Sequence, residues 1–467
     1  MSKDTSKFNR RDFLKGGAGV AVAGISSGLF STQASAHNLE HTISKLSRHS
    51  ADNDFWMRVK NQFSLNRDSV YMNVGSTGSM PTDVIKAYDK NNKIVAENPW
   101  DMDDKFGSWP YMNGMVADIA AGFGANEDEL VLSRNTTDGM ATILNGLDFK
   151  QGDVIITTHH EHIGATSSLH VVKERFGVEV YEVEIPVYTG EKDLTQSDYI
   201  RAFRKAIRQF GDRVRLVAFS HIPYKTGTAL PAKEICRLAR RHRIPTLIDG
   251  AHGIGMLDLD FHDLDCDFYA GSGHKWQCGA GATGILYIKD NATRLEEFWP
   301  DDRKPLYFIN SSLAASADTL GARLAAQYVG NDNYPAKQAL TDSCKMWDSI
   351  GRARIQERVL DLSSLCKEQL ARKIPQGTLF TSPRRELSSG LTTFNPFSNW
   401  SDEDRLNEFR DRLREDYGYI IRTTEFLMHK DSTEKTYVLR ISTHLFHDEN
   451  DVKGLVKAMA HLTRHMA

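Results

Sequence analysis

Lys275 lies in a run of small residues, "DFYAGSGHKWQCGAG", whose composition suits a ligand-binding loop. Gly271, Ser272 and Gly273 come shortly before it, and glycines let the backbone approach a ligand closely. The amine of such a lysine can form a Schiff base with a carbonyl group and then act as a general base. The alternative is a solvated surface charge, which is the usual state of a lysine, but the flanking glycines and His274 disfavour it.

Asp249 ends the predicted strand "IPTLID". A carboxylate at the end of a buried strand needs a cationic partner, because an uncompensated buried charge is costly. The protonated nitrogen of a pyridine ring is such a partner, and the pairing makes the ring an electron sink. A helix cap after the strand is the alternative interpretation of Asp249.

Two further features follow other predicted strands. Thr136 and Thr137 begin a predicted helix, where free N–H groups and the helix dipole favour an anion, although a plain cap would have the same sequence. The run "TTHHEHIG" offers His159, His160 and His162, but it lacks the spacing of a zinc-binding helix. We therefore predict no metal here and interpret a histidine as stacking on a planar ring. Taken together, these residues predict a site for pyridoxal phosphate.

Predicted strands and helices alternate from about residue 130. The strands are "DELVLS", "GDVIITT", "VRLVAFS", "IPTLID" and "CDFYAGS", and helical patterns such as "SSLHVVKERFG" and "PAKEICRLARRH" lie between them. This predicts an α/β fold whose mostly parallel sheet has helices on both faces, with "TGILYIK" in the same sheet. Ligands of such sheets bind beyond the carboxyl ends of the strands, where the features above occur.

At 467 residues the chain is long enough for two domains. From about residue 340 longer helices and the β segment "KTYVLRISTHL" predict a second one. We predict a signal peptide over residues 1–36 and an N-terminal segment, 37–70, that packs on the small domain. The large cofactor-binding domain is predicted over 71–340 and the small C-terminal domain over 341–467.

The first 36 residues have the features of a twin-arginine export signal. Arg10 and Arg11 precede "DFLK", a mildly apolar run and the small-residue cleavage site "ASA" before His37. The apolar run is shorter than the ~20 residues that span a bilayer, so an uncleaved anchor is the less favoured alternative. We expect export through the twin-arginine translocon to the periplasm or outside, and no membrane attachment after cleavage.

The composition limits the classes of partner. With 58 basic and 61 acidic residues the formal charge is -3, which gives no electrostatic case for a nucleic-acid partner and favours a small molecule. Five cysteines without paired spacing argue against a disulfide framework.

Six segments occur in a familiar order: "RNTTDG", "TTHHEH", "SHIPYKTGTALP", "LIDGAH", "SGHKW" and "LRIS". Their order and spacing resemble the class V aminotransferase family of fold type I pyridoxal-phosphate enzymes, in particular its isopenicillin N epimerase-like branch. The resemblance extends from about Tyr71 to the C-terminus. It implies a large domain with a mostly parallel, seven-stranded-type sheet, a smaller α+β C-terminal domain, and a homodimer.

The resemblance also implies roles for individual residues. Lys275 resembles the Schiff-base lysine, Asp249 the partner of the ring nitrogen and His160 the histidine that stacks on the ring. Arg440, in "LRIS", resembles the arginine that binds the substrate α-carboxylate, with Arg422 as a second substrate contact. The other implied cofactor contacts are Thr136, Thr137, Tyr224, His252, Ser272, His274 and Asn331.

The chain departs from the family pattern in three places. Tyr224 stands where many members carry Asn, and its phenol can donate the same hydrogen bond. Asn331 stands where the family has a threonine that reaches the phosphate of the partner subunit. Desulfurases of the family place a nucleophilic cysteine before the carboxylate-binding arginine, whereas no cysteine follows Cys366 here, so persulfide chemistry is disfavoured. Cys278 is interpreted as a small packing residue.

The residues predict an enzyme that removes the α-proton of an amino acid or an amino-acid-like or peptide-like substrate. Return of a proton to the opposite face gives racemisation or epimerisation, and its transfer to the cofactor gives transamination. Loss of a β substituent gives a lyase, and the sequence leaves all three open. Alternatives of other classes are a non-catalytic binding protein of this fold and a metal-dependent hydrolase built on the histidines.

Overall fold

The computed structural model describes residues 53–289, 305–316 and 322–466, so the predicted signal peptide lies outside the described residues. The strands are β1 (Val70–Tyr71), β2 (Leu130–Ser133), β3 (Val154–Thr158), β4 (Glu179–Val183), β5 (Val214–Ser220), β6 (Thr246–Asp249), β7 (Phe268–Ser272), β8 (Gly284–Ile288), β9 (Thr378–Leu379), β10 (Leu391–Asn395), β11 (Tyr419–Ile420), β12 (Arg422–Leu427) and β13 (Lys435–Ser442). The α-helices are α1 (Asn53–Lys60), α2 (Thr82–Glu97), α3 (Trp109–Ala121), α4 (Thr136–Gly146), α5 (Ile163–Phe176), α6 (Gln196–Phe210), α7 (Ala232–Arg241), α8 (Phe261–Leu264), α9 (Ala322–Gln327), α10 (Tyr334–Ile350), α11 (Arg352–Lys373), α12 (Glu403–Tyr417) and α13 (Glu449–His465).

A seven-stranded sheet forms the centre of the fold, in the order β2-β8-β7-β6-β5-β3-β4. Strand β8 is antiparallel to its neighbours β2 and β7, and the other neighbouring pairs are parallel. The predicted α/β fold with a mostly parallel sheet is therefore confirmed, and "TGILYIK" contributes β8 to that sheet.

The central strands are buried on both faces, which explains their continuous apolar sequences. In β3, Val154 and Ile156 pack into one hydrophobic core, and Ile155 packs into the core on the other face. In β5, Val217 and Leu216 divide between the two cores in the same way. Because successive side chains of a strand point to opposite faces, such runs are typical of a sheet with helices on both sides.

A second, antiparallel sheet follows in the order β12-β13-β10-β9. Helices α11, α12 and α13 pack on it through a core that includes Leu370, Phe409 and Leu455. The predicted boundary at residue 340 falls inside α10, which continues unbroken through it. The division into two domains stays a prediction.

The described part of the predicted N-terminal segment contacts the C-terminal part of the chain. The ring of Phe63 lies 4.9 Å from that of Phe446 and 6.5 Å from that of Trp347. Lys60 Nζ forms ion pairs with Asp448 at 2.8 Å and Asp451 at 2.9 Å. Among the described helices, none is both long and apolar enough to cross a membrane.

The carboxyl ends of β6 and β7 lie side by side and position the candidate site. Asp249, the last residue of β6, pairs with Ala270 of β7, and Ser220 at the end of β5 pairs with Asp249 on its other side. Side chains from three strand ends therefore meet at one edge of the sheet, as expected for a parallel arrangement.

Candidate active site

A cavity of about 300 Å³ opens at this edge of the sheet. It collects residues from both halves of the chain, including most of the predicted cofactor and substrate contacts. Its lining consists of Gly75, Ser76, Asn135, Thr136, Thr137, His162, Tyr224, Asp249, Ala251, His252, Ser272, His274, Lys275, Arg422 and Arg440.

Lys275 lies in the loop that follows β7, and neighbouring backbone holds that loop in place. Gly273 N donates to Thr283 O at 2.8 Å, and Gly78 N donates to His274 O at 2.8 Å. A Cβ at Gly78 would lie 2.0 Å from Lys275 O, so this contact requires glycine. The loop therefore has little freedom to move the lysine away from the cavity.

The environment of Lys275 favours its neutral amine. Burial is the largest cause and lowers its pKa from 10.5 to about 8. Asp249 opposes this by raising the pKa, whereas Arg440 and Arg422 lower it further. A lysine with this pKa has a much larger nucleophilic fraction at neutral pH than an exposed one.

Asp249 is 5% exposed and presents a carboxylate to the cavity. One of its oxygens accepts a hydrogen bond from Ala251 N at 3.0 Å. Burial raises the pKa of the carboxyl group, and the Ala251 N–H and the Lys275 amine oppose the rise. A cation placed in the cavity against this carboxylate would be stabilised.

The N-terminus of α4 forms one corner of the cavity. The side chain of Asn135 caps the helix by accepting from Asp138 N at 2.9 Å, so neither threonine is the cap. The Thr136 hydroxyl forms a hydrogen bond with Ser272 Oγ at 2.8 Å, and both residues line the cavity. His274 Nδ1 is buried without a hydrogen-bond partner among the described residues.

Helix N–H groups, threonine and serine hydroxyls and an unsatisfied imidazole nitrogen form a donor set that fits a phosphate group. Together with Lys275 for an aldehyde and Asp249 for a ring nitrogen, the residues present fit pyridoxal phosphate.

His160 does not line the cavity, which corrects the prediction that it stacks on the cofactor. Its ring is fully buried, 3.8 Å from that of His159, and its Nε2 contacts Leu427 O at 3.0 Å. His162, two residues later, lines the cavity instead. Strand β3 ends at Thr158, and His162 is the N-cap of α5, where it faces the cavity.

The tautomer of His162 can be inferred from its contacts. Its Nδ1 accepts from Gly164 N at 3.0 Å, so the proton of the neutral ring is on Nε2. Burial is the main cause that lowers the pKa of His162 to about 4, with Lys275 and Arg422 next. The ring is therefore neutral near pH 7, which suits stacking on an aromatic ring.

Tyr224 and His252 both line the cavity, as was predicted from the sequence. The Tyr224 ring meets His162 edge-on, with 5.0 Å between the ring centroids, and burial raises the pKa of its phenol, so the phenol keeps its proton. His252 Nδ1 accepts from Trp276 Nε1 at 3.0 Å, which leaves a proton on Nε2. Both side chains offer hydrogen-bond donors to a ligand.

Arg440 and Arg422 form the opposite side of the cavity. Arg440 is 2% exposed, and its Nη2 donates to Ser76 Oγ at 2.8 Å and to Asn73 Oδ1 at 3.2 Å. Arg422 Nη1 donates to the same Ser76 Oγ at 3.1 Å. The structure thus brings the two predicted substrate-binding arginines together.

Several site residues escaped sequence reasoning. Gly75, Ser76, Asn135 and Ala251 line the cavity, and only the run "VGSTGS" of small residues could have signalled the first two. Buried Glu161 accepts from Ser220 Oγ and Thr158 Oγ1, both at 2.5 Å, and thereby ties the loop that carries His162 to β5. Burial raises the pKa of Glu161 to about 7.

The remaining predicted residues lie outside the cavity. Asn331 is exposed and does not line it in this chain, so its contact with a partner subunit stays a prediction. Cys278 is buried in a hydrophobic cluster with its Sγ 3.6 Å from His444 Nε2. The part of the chain that the structure describes contains no group of three or more His, Cys, Asp or Glu residues that could hold a metal ion.

Two family models match parts of the chain. The family model described as aminotransferase class-V matches residues 70–455, and the model of the twin-arginine translocation pathway signal matches residues 7–25. Isopenicillin N epimerase of Streptomyces clavuligerus is 28% identical over 347 residues, covering 73% of this chain and 84% of the relative.

Isopenicillin N epimerase of Amycolatopsis lactamdurans is 25% identical over 424 residues, covering 88% of this chain and 99% of the relative. Among solved structures, a C-DES mutant with glycine covalently linked to the PLP cofactor superposes with a TM-score of 0.68 at 24% identity. That comparison covers 86% of this chain and 98% of the other, and it supports the fold.

Proposed function

Because this chain belongs to the class V aminotransferase family, we propose that it moves the α-proton of an amino acid or amino-acid-like substrate, as an epimerase or an aminotransferase does. The chain is a pyridoxal-phosphate enzyme that carries a twin-arginine export signal. The observation that carries the proposal is one cavity that holds an amine of lowered pKa, a buried carboxylate and a buried arginine, Lys275, Asp249 and Arg440.

Pyridoxal phosphate, when bound, supplies an electron sink that makes the α-proton of an amino acid removable. The amine of Lys275 would hold the cofactor and would be the group placed to accept that proton. Asp249 keeps a positive charge on the ring nitrogen, and Arg440 binds the α-carboxylate by a bidentate pair. We assign the stacking position to His162, and phosphate binding to the α4 N-terminus with Thr137, Ser272 and His274.

A cysteine nucleophile of the desulfurase type has no place in this site. No cysteine follows Cys366, and most of the stretch before Arg440 where family desulfurases place one is strand β12, which pairs with β13 from Arg422 to Leu427. Its last carbonyl group, that of Leu427, lies 3.0 Å from His160 Nε2. This supports proton transfer at the α-carbon over sulfur transfer.

The test is the visible absorption spectrum of the purified protein and of a Lys275→Ala variant. We expect the yellow band of lysine-bound pyridoxal phosphate in the wild type and its loss in the variant. Lys233→Ala, which removes an exposed lysine paired with Asp263 outside the cavity, is the matched control and should keep the band. A wild type that stays colourless after incubation with pyridoxal phosphate would contradict the proposal.

The reaction type follows from incubating the yellow protein with D- and L-amino acids in deuterated water. Deuterium at the α-carbon reports proton removal. Inversion of configuration then indicates an epimerase, formation of a 2-oxo acid an aminotransferase, and loss of a β substituent a lyase. Absence of exchange with every amino acid would contradict α-proton transfer for these substrates.

We also propose that the protein is a homodimer in the periplasm and that its signal peptide is cleaved after Ala36. The dimer is what the resemblance to the family implies, and Ile163, 69% exposed, lies next to the cavity residue His162. Sedimentation of the exported protein tests the dimer. N-terminal sequencing of the periplasmic fraction tests the cleavage, and a first residue other than His37 would contradict it.

A further inference from the structure

Two arginines face each other across one hairpin at the mouth of the cavity. Arg422 of β12 and Arg440 of β13 are directly paired in the antiparallel register, so their side chains lie on the same face of the sheet. Both line the cavity, and they differ in depth: Arg440 is 2% exposed, and Arg422 is exposed at the rim.

Like charges directly opposite each other destabilise a strand pair. An anion bound by the two guanidinium groups would offset their repulsion. Among the described residues, neither arginine forms an ion pair with an aspartate or glutamate. Their donors instead share the neutral hydroxyl of Ser76, and Arg440 also donates to the Asn73 amide oxygen. Arg440 Nε is buried without a hydrogen-bond partner in the described structure.

Two other cations, one in the hairpin and one in the neighbouring helix α12, have acidic partners. Lys435, at the far end of β13, lies 3.4 Å from Glu425, and Arg410 of α12 lies 2.7 Å from Asp411. The two cavity arginines differ from these paired cations in having no acidic partner among the described residues.

We propose that the substrate carries a second carboxylate besides its α-carboxylate, bound by Arg422 at the rim while Arg440 binds the α-carboxylate in the depth. The inference rests on the proposed function and narrows its substrate class to amino acids, or amino-acid-like conjugates, with a distal carboxylate. Each guanidinium can grip one carboxylate through two parallel hydrogen bonds. The shared Ser76 hydroxyl holds the two guanidinium groups near each other, so one molecule can reach both.

The test uses carboxylates without an amino group, so that binding is measured without chemistry. Calorimetric titration of the yellow holoenzyme compares glutarate with pentanoate and adipate with hexanoate, pairs that match in chain length. We expect each dicarboxylate to bind at least tenfold more tightly than its partner, which corresponds to about 1.4 kcal/mol.

Variants test whether Arg422 is responsible for the preference for dicarboxylates over monocarboxylates. Arg422→Gln should reduce the dicarboxylate-to-monocarboxylate ratio of affinities to near one, and Arg422→Lys, which keeps the charge, should retain part of it. Lys435→Gln removes a paired cation of the same hairpin and should leave the ratio at its wild-type value.

Equal affinities for glutarate and pentanoate in the wild type would overturn the inference, because both arginines would then serve one carboxylate. A ratio unchanged in Arg422→Gln would overturn it as well. These outcomes are separate from failure of the proposed function, which is reported by the absorption band and by deuterium exchange. A yellow enzyme that exchanges the α-proton of a monocarboxylic amino acid and shows no dicarboxylate preference would refute only this inference.

Discussion

The lowered pKa of Lys275 predicts how fast the cofactor-free protein captures pyridoxal phosphate at each pH. Capture requires the neutral amine. With a pKa of about 8 the amine is neutral in about 9% of molecules at pH 7, against about 0.03% for an ordinary lysine at 10.5, a roughly 300-fold larger reactive fraction. Because the pKa is lowered, the capture rate should rise with pH and level off above about pH 8.

Two variants should move this midpoint in opposite directions. Arg440→Gln removes a cation that disfavours the charged amine, so the pKa of Lys275 rises and the midpoint moves to higher pH. Asp249→Asn removes an anion that favours the charged amine, so the pKa falls and the midpoint moves to lower pH. Each shift should be on the order of one pH unit, as is usual for a neighbouring charge.

The assay is stopped-flow absorbance after mixing the cofactor-free protein with excess pyridoxal phosphate across the pH range. The cofactor's own ionisation affects all variants equally, so the differences between midpoints report the lysine. Lys435→Gln, far from the cavity, serves as the control and should keep the wild-type midpoint. A wild-type capture rate that keeps rising with pH up to the ordinary pKa of lysine would refute the reasoning. Midpoint shifts of the same sign in Arg440→Gln and Asp249→Asn would refute it as well.

Two further predictions concern the loops around the cavity. His162→Ala should weaken retention of pyridoxal phosphate during dialysis by tenfold or more while leaving the melting temperature near that of the wild type, because the ring faces the cavity. His160→Ala should instead lower the free energy of unfolding by about 1–3 kcal/mol, the cost of a lost buried hydrogen bond. The reverse pattern would restore the original assignment. Gly227→Ala should destabilise the protein in urea by more than the ~1–2 kcal/mol that a left-handed residue costs, because φ is +67° and the new Cβ would lie 2.7 Å from Leu391 Cβ. Gly190→Ala, at φ +90° in open space, isolates the backbone cost, and equal losses in the two variants would contradict the contact with Leu391.

The sheet and its site residues could be predicted because each depends on short-range sequence. Asp249 and Lys275 follow buried strands whose apolar runs are unambiguous, and parallel strands bring their ends to one edge. No knowledge of distant contacts was needed to expect the lysine and the carboxylate in one place.

The choice between His160 and His162 could not be made in this way. Both follow β3 within four residues, and composition does not distinguish them. The structure decides through a tertiary contact, because His160 Nε2 meets Leu427 O, which lies 267 residues away in the chain. That contact leaves the inward position at the start of α5 to His162.

The arginine pair also depends on a contact that composition does not reveal, the pairing of two strands. It shows why strand register matters for function. Arg422 and Arg440 are brought face to face only because β12 and β13 form an antiparallel hairpin in this register. A slip of one residue would turn Arg422 to the opposite face of the sheet and leave Arg440 alone in the cavity. The same pairing takes up most of the stretch where a desulfurase-type cysteine would stand, so the hairpin that orients the two arginines also fixes most of that stretch in a strand. The chemistry open to this cavity is thus determined as much by the pairing of one hairpin as by the lysine at its centre.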